Sequence, residues 1–146
     1  QKYFTESPFA AKFFAGNDVF KVVDGDAQSG NAGVLQPPTW KAYAGNDIMM
    51  GGVSKDIFYG GTGNDRLYGY GGNDTLFGEQ GNDVLDGGGG NDRLYGGDGN
   101  NVFVDGAGDD FMVGSSGNDR YTDIDGNNSI DDLLYLLVGQ TQTTPM

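Results

Sequence analysis

Gly60-Gly61-Thr62-Gly63-Asn64-Asp65-Arg66-Leu67-Tyr68 and Gly87-Gly88-Gly89-Gly90-Asn91-Asp92-Arg93-Leu94-Tyr95 are two copies of one nine-residue unit, and that unit decides the fold. In each, six turn-forming residues precede three that suit a strand. The Gly-Asn-Asp at its centre recurs from Gly45, Gly63, Gly72, Gly81, Gly90 and Gly117, and degenerate copies fill the gaps: Ser54-Lys55-Asp56, Gly99-Asn100-Asn101, Gly108-Asp109-Asp110 and Gly126-Asn127-Asn128. These ten copies begin nine residues apart in one unbroken frame from 45 to 126. With Gly60 as position one of its unit, position eight reads Met49, Phe58, Leu67, Leu76, Leu85, Leu94, Phe103, Met112, Tyr121 and Ile130. A disordered Gly/Asp/Asn linker has no reason to place a large apolar residue at every ninth position. Gly16-Asn17-Asp18 is an outlying copy 29 residues before Gly45, which is not a multiple of nine, so an insertion separates it. It reads equally well as a further coil or as an isolated turn.

Alternation within a three-residue strand turns position eight one way and its neighbours the other, so position eight is the expected core. Two units then make one coil: turn, strand, turn, strand, with coils stacking as parallel strands about 4.8 Å apart in the usual right-handed sense. The glycine-rich turns form two columns. One edge carries Asp47, Asp65, Asp83, Asn101 and Asp119, and the other Asp56, Asp74, Asp92, Asp110 and Asn128. Bare carboxylates at that spacing repel. A cation between successive turns relieves the repulsion, and carboxylates with turn carbonyls are the hard oxygen donors of which Ca²⁺ takes six to eight.

Composition agrees. Of 146 residues 28 are glycine and only 36 % apolar, so burial alone gives a thin core. The acids are 19 Asp against 2 Glu, which places the charge in turns rather than helices, and the net charge of −13 selects cations over nucleic-acid phosphates or anionic membranes. With no Cys and no His there is no disulfide, thiolate nucleophile, Ser-His-Asp triad or Cys/His zinc site. The longest apolar run, Leu133 to Val138, is too short to span a bilayer.

The unit resembles the Gly-Gly-x-Gly-x-Asp-x-apolar-x nonapeptide of bacterial RTX (repeats-in-toxin) proteins, over residues 42–131. The resemblance implies an all-β, right-handed parallel β-roll that binds Ca²⁺. It also implies that each ion takes the carbonyls of positions two and four and the Asp of one turn, with the carbonyls of positions one and three and the Asp of the turn two units later. Gly61, Gly63 and Asp65 then pair with Gly78, Gln80 and Asp83, and Tyr70, Gly72 and Asp74 with Gly87, Gly89 and Asp92. On the first edge the implied set further includes Tyr43, Gly45, Asp47, Gly60, Thr62, Glu79, Gly81, Gly96, Gly97, Asp98, Gly99, Asn101, Gly114, Ser116 and Asp119. On the second it includes Asp56, Gly69, Gly71, Gly88, Gly90, Asp105, Gly106, Ala107, Gly108, Asp110, Asp123, Asp125 and Asn128. Asn101 and Asn128 replace the carboxylate, and Ser54-Lys55 breaks the turn beside Asp56, so weaker sites are expected there and about five to eight ions in all.

Competing readings are weaker. Asp123 to Asp131 resembles the start of an EF-hand loop, but position twelve falls on Leu134, not an acid. Asp109-Asp110 and Asp131-Asp132 could be cast as glycosidase carboxylates, yet aspartates recurring every nine residues fit repeated metal sites better than one active site. No Gly-Lys-Ser/Thr follows any glycine run, which excludes a phosphate loop. Ice binding would favour ranks of Thr, and only Thr62 holds the third turn position.

Around the roll, residues 1–41 form an N-terminal segment with the outlying repeat, and 132–146 a C-terminal cap and tail in which Asp131-Asp132 starts a short helix, Leu133 to Val138, stopped by Gly139. Position nine stacks Tyr59, Phe77, Tyr95 and Val113 on one outer face, beside Phe111. That ladder suggests either contact between copies of the chain or a cover from residues 1–41, which hold Phe4, Phe9, Phe13, Phe14 and Trp40. The resemblance implies a secreted bacterial protein, exported by type I secretion and folding on calcium outside the cell. Two roles are then expected: a non-catalytic structural or surface-assembly module (S-layer, filament or adhesin segment), or the C-terminal repeat region of a secreted protease, lipase or alginate epimerase.

Overall fold

A computed structural model describes residues 16–21, 39–122 and 126–131. Twelve strands appear in chain order: β1 (Val19–Lys21), β2 (Thr39–Lys41), β3 (Ile48–Met50), β4 (Ile57–Thr62), β5 (Arg66–Tyr68), β6 (Thr75–Gln80), β7 (Val84–Gly89), β8 (Arg93–Asp98), β9 (Val102–Ala107), β10 (Phe111–Ser116), β11 (Arg120–Thr122) and β12 (Ser129–Asp131). Odd and even strands form separate six-stranded sheets, β1-β3-β5-β7-β9-β11 and β12-β10-β8-β6-β4-β2. Every pairing is parallel, and Leu67↔Leu85 with Leu76↔Leu94 shows the register of one coil, two units, throughout the regular run. This is the expected all-β parallel roll. Among the described residues there is no helix; the expected helix Leu133 to Val138 lies outside them.

Position eight is the core. Phe58, Leu67, Leu76, Leu85, Leu94, Phe103 and Met112 are 0 % exposed, while their neighbours at positions seven and nine remain partly or fully accessible. Tyr121 and Ile130 pack against this column at its C-terminal end.

Two features extend the roll ahead of residue 42. The outlying Gly16-Asn17-Asp18 leads into β1, which pairs with β3 through Phe20↔Met49, so it is a coil segment and not an isolated turn. Trp40 sits at position eight of a degenerate unit and pairs with Phe58. It is therefore corrected as a candidate cover: it is 5 % exposed inside the roll, with its ring centroid 4.5 Å from that of Phe20. Phe4, Phe9, Phe13 and Phe14 lie outside the described residues.

Several strands run to six residues because they continue through turn positions one to three. Glu79 pairs with Gly61 and Gly97, and Thr62 N–H donates to the Tyr43 carbonyl at 2.8 Å. The turns thus form ladders of their own. Their closeness fixes glycine at position four: Gly81 has φ +135°, and a Cβ there would lie 1.7 Å from the Gly63 carbonyl oxygen. Position two is also left-handed; it carries exposed side chains at Tyr43, Tyr70, Glu79 (φ +78°) and Ser115, whereas a Cβ at Gly61 or Gly97 would lie 2.1 Å from a carbonyl oxygen of the preceding coil.

Gly81 and Glu79 should respond oppositely. With calcium present, Gly81→Ala should lower the thermal midpoint by more than left-handed strain of ~1–3 kcal/mol alone implies. Glu79→Gly should raise it or leave it unchanged. Equal destabilisation by both would contradict this division of the turn.

Candidate calcium-binding turns

The side chains at position six turn into the roll and are almost fully enclosed, with Asp83 0 %, Asp65, Asp74 and Asp92 1 %, and Asp110 2 % exposed. In each, Oδ1 accepts the backbone N–H of the position-six residue one coil earlier. On the first edge Asp47 donates to Asp65, Asp65 to Asp83, Asp83 to Asn101 and Asn101 to Asp119, at 2.7–2.9 Å. On the second, Asp56 donates to Asp74, Asp74 to Asp92, Asp92 to Asp110 and Asp110 to Asn128, at 2.7–2.8 Å. Both asparagines therefore keep the structural half of the aspartate's role.

The other half is unsatisfied. Oδ2 of Asp47, Asp65, Asp74, Asp83, Asp92 and Asp110 is buried with no hydrogen-bond partner. One such oxygen costs about 1–3 kcal/mol, and more when charged. Glycine at position one makes room for it: a Cβ at Gly60, Gly69 or Gly78 would lie 2.4 Å from Oδ2 of its own unit's aspartate. Asp56, beside the irregular Ser54-Lys55, differs: its Oδ2 accepts Gly52 N–H at 3.1 Å.

The donors suit a hard cation. Turn and ladder bonds use carbonyls of positions two, three, six and nine, but none of them uses Gly63, Gly72, Gly81 or Gly90 at position four. A carbonyl that already accepts one bond retains a second lone pair. Among the described residues no three acidic side chains converge, so any ion bound here draws most of its ligands from backbone carbonyls. Tyr43 and Tyr70 are exposed and offer only backbone, and Asp98 is tied outward by Ser116 Oγ at 2.9 Å. The remaining implied residues of 43–119 lie on the two turn edges; Asp123 and Asp125 are outside the described residues. Asp105 is different again, fully buried against Asn128.

Sequence reading missed the role of position five. Asn64 Oδ1 accepts Asn82 N–H, Asn82 accepts Asn100, and Asn73 accepts Asn91, at 2.8–2.9 Å. These bonds run to the next coil, opposite in direction to those of position six. The repeated Asn was visible in every full triplet but was read only as a turn former.

Burial pushes Asp74 up to about 7 and Asp47, Asp83 and Asp110 to about 6, and also raises Asp65 and Asp92. The backbone N–H donors pull the other way, and neighbouring carboxylates add to the rise at each of these positions.

A family model for the RTX calcium-binding nonapeptide repeat matches residues 41–58, 51–85 and 86–121, together more than half of the chain. No curated protein and no solved structure gave a significant match.

The raised values set a pH dependence. These carboxyls bind protons more tightly in the metal-free fold than in the unfolded chain, where they titrate near 3.9. The metal-free roll therefore loses stability as pH rises from about 4 through 6 to 7. In chelator, circular dichroism should show more strand at pH 5 than at pH 8; a signal constant across that range would contradict the assignment.

Proposed function

The chain belongs to the RTX calcium-binding nonapeptide-repeat family, a calcium-binding β-roll, and from that membership we propose that it is a secreted, non-catalytic module that folds on calcium outside the cell and serves a structural or assembly role. The observation that carries the reading is the buried, unpartnered carboxylate oxygen repeated at position six of successive units. Unpaired in the dry interior, these oxygens oppose folding. Ca²⁺, when bound, supplies positive charge and a shell of six to eight oxygen positions. The chain's own residues do the remainder: position-six Oδ1 holds the register, position-four glycine lets turns approach, and position-one glycine leaves the second oxygen free to turn inward. Equivalent sites spread along both edges favour a scaffold over a single reaction centre. Among the described residues no helix is long and apolar enough to cross a membrane.

Assembly is assigned to the outer aromatic ladder. Tyr59, Phe77 and Tyr95 stack with centroids 4.5 and 4.8 Å apart, and Lys41 lies 4.7 Å above the Tyr59 ring. The rings are half-buried against one another, so edges rather than faces point outward. A second copy of the chain, presenting the same edges, is the occupant proposed for this face.

In chelator at neutral pH the full chain should be largely unfolded, with strand signal appearing cooperatively on adding calcium but not equimolar magnesium, whose octahedral demand suits these turns poorly. Native mass spectrometry should find about five to eight ions, one for most of the gaps between coils. A well-folded chain in EDTA at neutral pH, or only one or two ions, would refute the reading. For assembly, Tyr95→Asp should still bind calcium and fold but lose calcium-dependent association in sedimentation; association unchanged in that variant would remove the ladder as the contact.

A further inference from the structure

The two asparagines that replace aspartate at position six are not equivalent. Asn101 Oδ1 accepts Asp83 N–H at 2.9 Å, but its Nδ2 is buried without a partner. Asn128 Oδ1 accepts Asp110 N–H at 2.8 Å, and its Nδ2 donates to Asp105 Oδ2 at 2.5 Å. The orientation of the Asn128 amide is fixed by chemistry, since a backbone N–H can be met only by the oxygen end.

Asp105 is an exception of its own. It occupies position one, where the units from Gly51 to Gly96 carry glycine, and it is 0 % exposed. A side chain at position one points toward the next coil: a Cβ at Gly69 would lie 2.5 Å from the Gly87 carbonyl oxygen. From that position the Asp105 carboxylate reaches the turn of Asn128. The residue in the same relation to Asn101 is Gly78, which has no side chain to offer. One missing carboxylate is thus answered by a carboxylate from the preceding coil, and the other is not.

We infer that Asp105 and Asn128 form a cation-free clasp that fastens the last described coil, so that the gap between Asp110 and Asn128 is closed by a hydrogen bond where the regular gaps use calcium. The inference rests on the proposed calcium reading of those regular gaps. An amide that presents N–H hydrogens to a buried carboxylate cannot ligate a cation with the same atom, and the carboxylate it engages is no longer an orphan. Both ends of the Asn128 amide are committed, one to the backbone of Asp110 and one to Asp105, while Asp110 Oδ2, which lies beside position one of its own unit, stays without a hydrogen-bond partner. The coil so held is β12, whose Ser129 N–H donates to the Asp110 carbonyl at 2.8 Å. The last described coil then has a fixed register before any ion binds nearby.

The test uses the full chain as wild type, Asp105→Gly and Asp105→Gly/Asn128→Asp, with ions counted by native mass spectrometry at saturating calcium and amide exchange read at Ser129. Asp105→Gly should bind as many ions as wild type while Ser129 exchange accelerates about tenfold or more, the scale of one lost buried charged hydrogen bond. Restoring the regular unit in the double variant should add one ion and recover protection, now dependent on calcium. One ion fewer in Asp105→Gly would make Asp105 a ligand and overturn the clasp. So would unchanged Ser129 protection, or a double variant with no added ion. A wild-type chain that takes up no calcium would refute the reading of the regular gaps, and the clasp would still stand or fall on Ser129.

Discussion

The structure depends on a carboxylate that is buried at the same place in successive turns and bonded through only one of its two oxygens. Asp65, Asp74, Asp83 and Asp92 are each about 1 % exposed or less, and each spends Oδ1 on a backbone N–H one coil earlier. A neutral side chain there would hold the register equally well, as Asn101 shows. The charge is therefore surplus to the architecture, and a surplus buried charge destabilises unless something opposite meets it. Folding and ion binding become one process because the group that specifies the turn also opposes it.

Side chains knit each gap between coils from both of its walls. Position five sends its acceptor forward to the next coil and lies in the exposed rim; position six sends its acceptor back and lies inside. Opposed acceptors resist sliding in either direction along the strand axis. That matters because the core contributes only one large side chain per half coil, as Leu67, Leu85 and Phe103 do, and so few apolar contacts pin neighbouring strands along their length. Apolar packing supplies cohesion, and the Asn and Asp ladders supply register.

The frame, the core column and the two turn edges were legible because they need only a period: Leu67, Leu76 and Leu85 declare their burial by spacing alone. The ladders of the turns were not, since nothing in Gly-Gly-x-Gly distinguishes a free turn from one whose Thr62 N–H finds Tyr43 in the coil before. Trp40 was misread because its unit lacks the triplet, Gln36-Pro37-Pro38 standing where Gly-Asn-Asp would be, and an aromatic residue without its motif reads as a loose apolar group. The difference between Asn101 and Asn128 was hidden for another reason. It lies in residue 105, 23 positions from Asn128, and follows only from knowing which way position one points.

The first coil shows why a roll tolerates what the repeat frame forbids. Phe20 pairs with Met49 across 29 residues where the regular separation is 18, yet the contacts between those segments are the ordinary ones. Asn46 N–H finds Asn17 Oδ1 at 2.8 Å, and Asp18 N–H finds Asp47 Oδ1 at 2.6 Å. Across this separation the two half coils meet through positions four to six and position eight, as Asn17 and Asp18 with Asn46 and Asp47 and Phe20 with Met49 show. The longer sequence separation leaves the pairing of β1 with β3 intact, and the entropic cost of a longer connection grows only slowly with length. In a solenoid the unit of recognition is the stacked turn and strand rather than the spacing that usually announces them, so an interrupted period marks where chain was added and not where the fold ends.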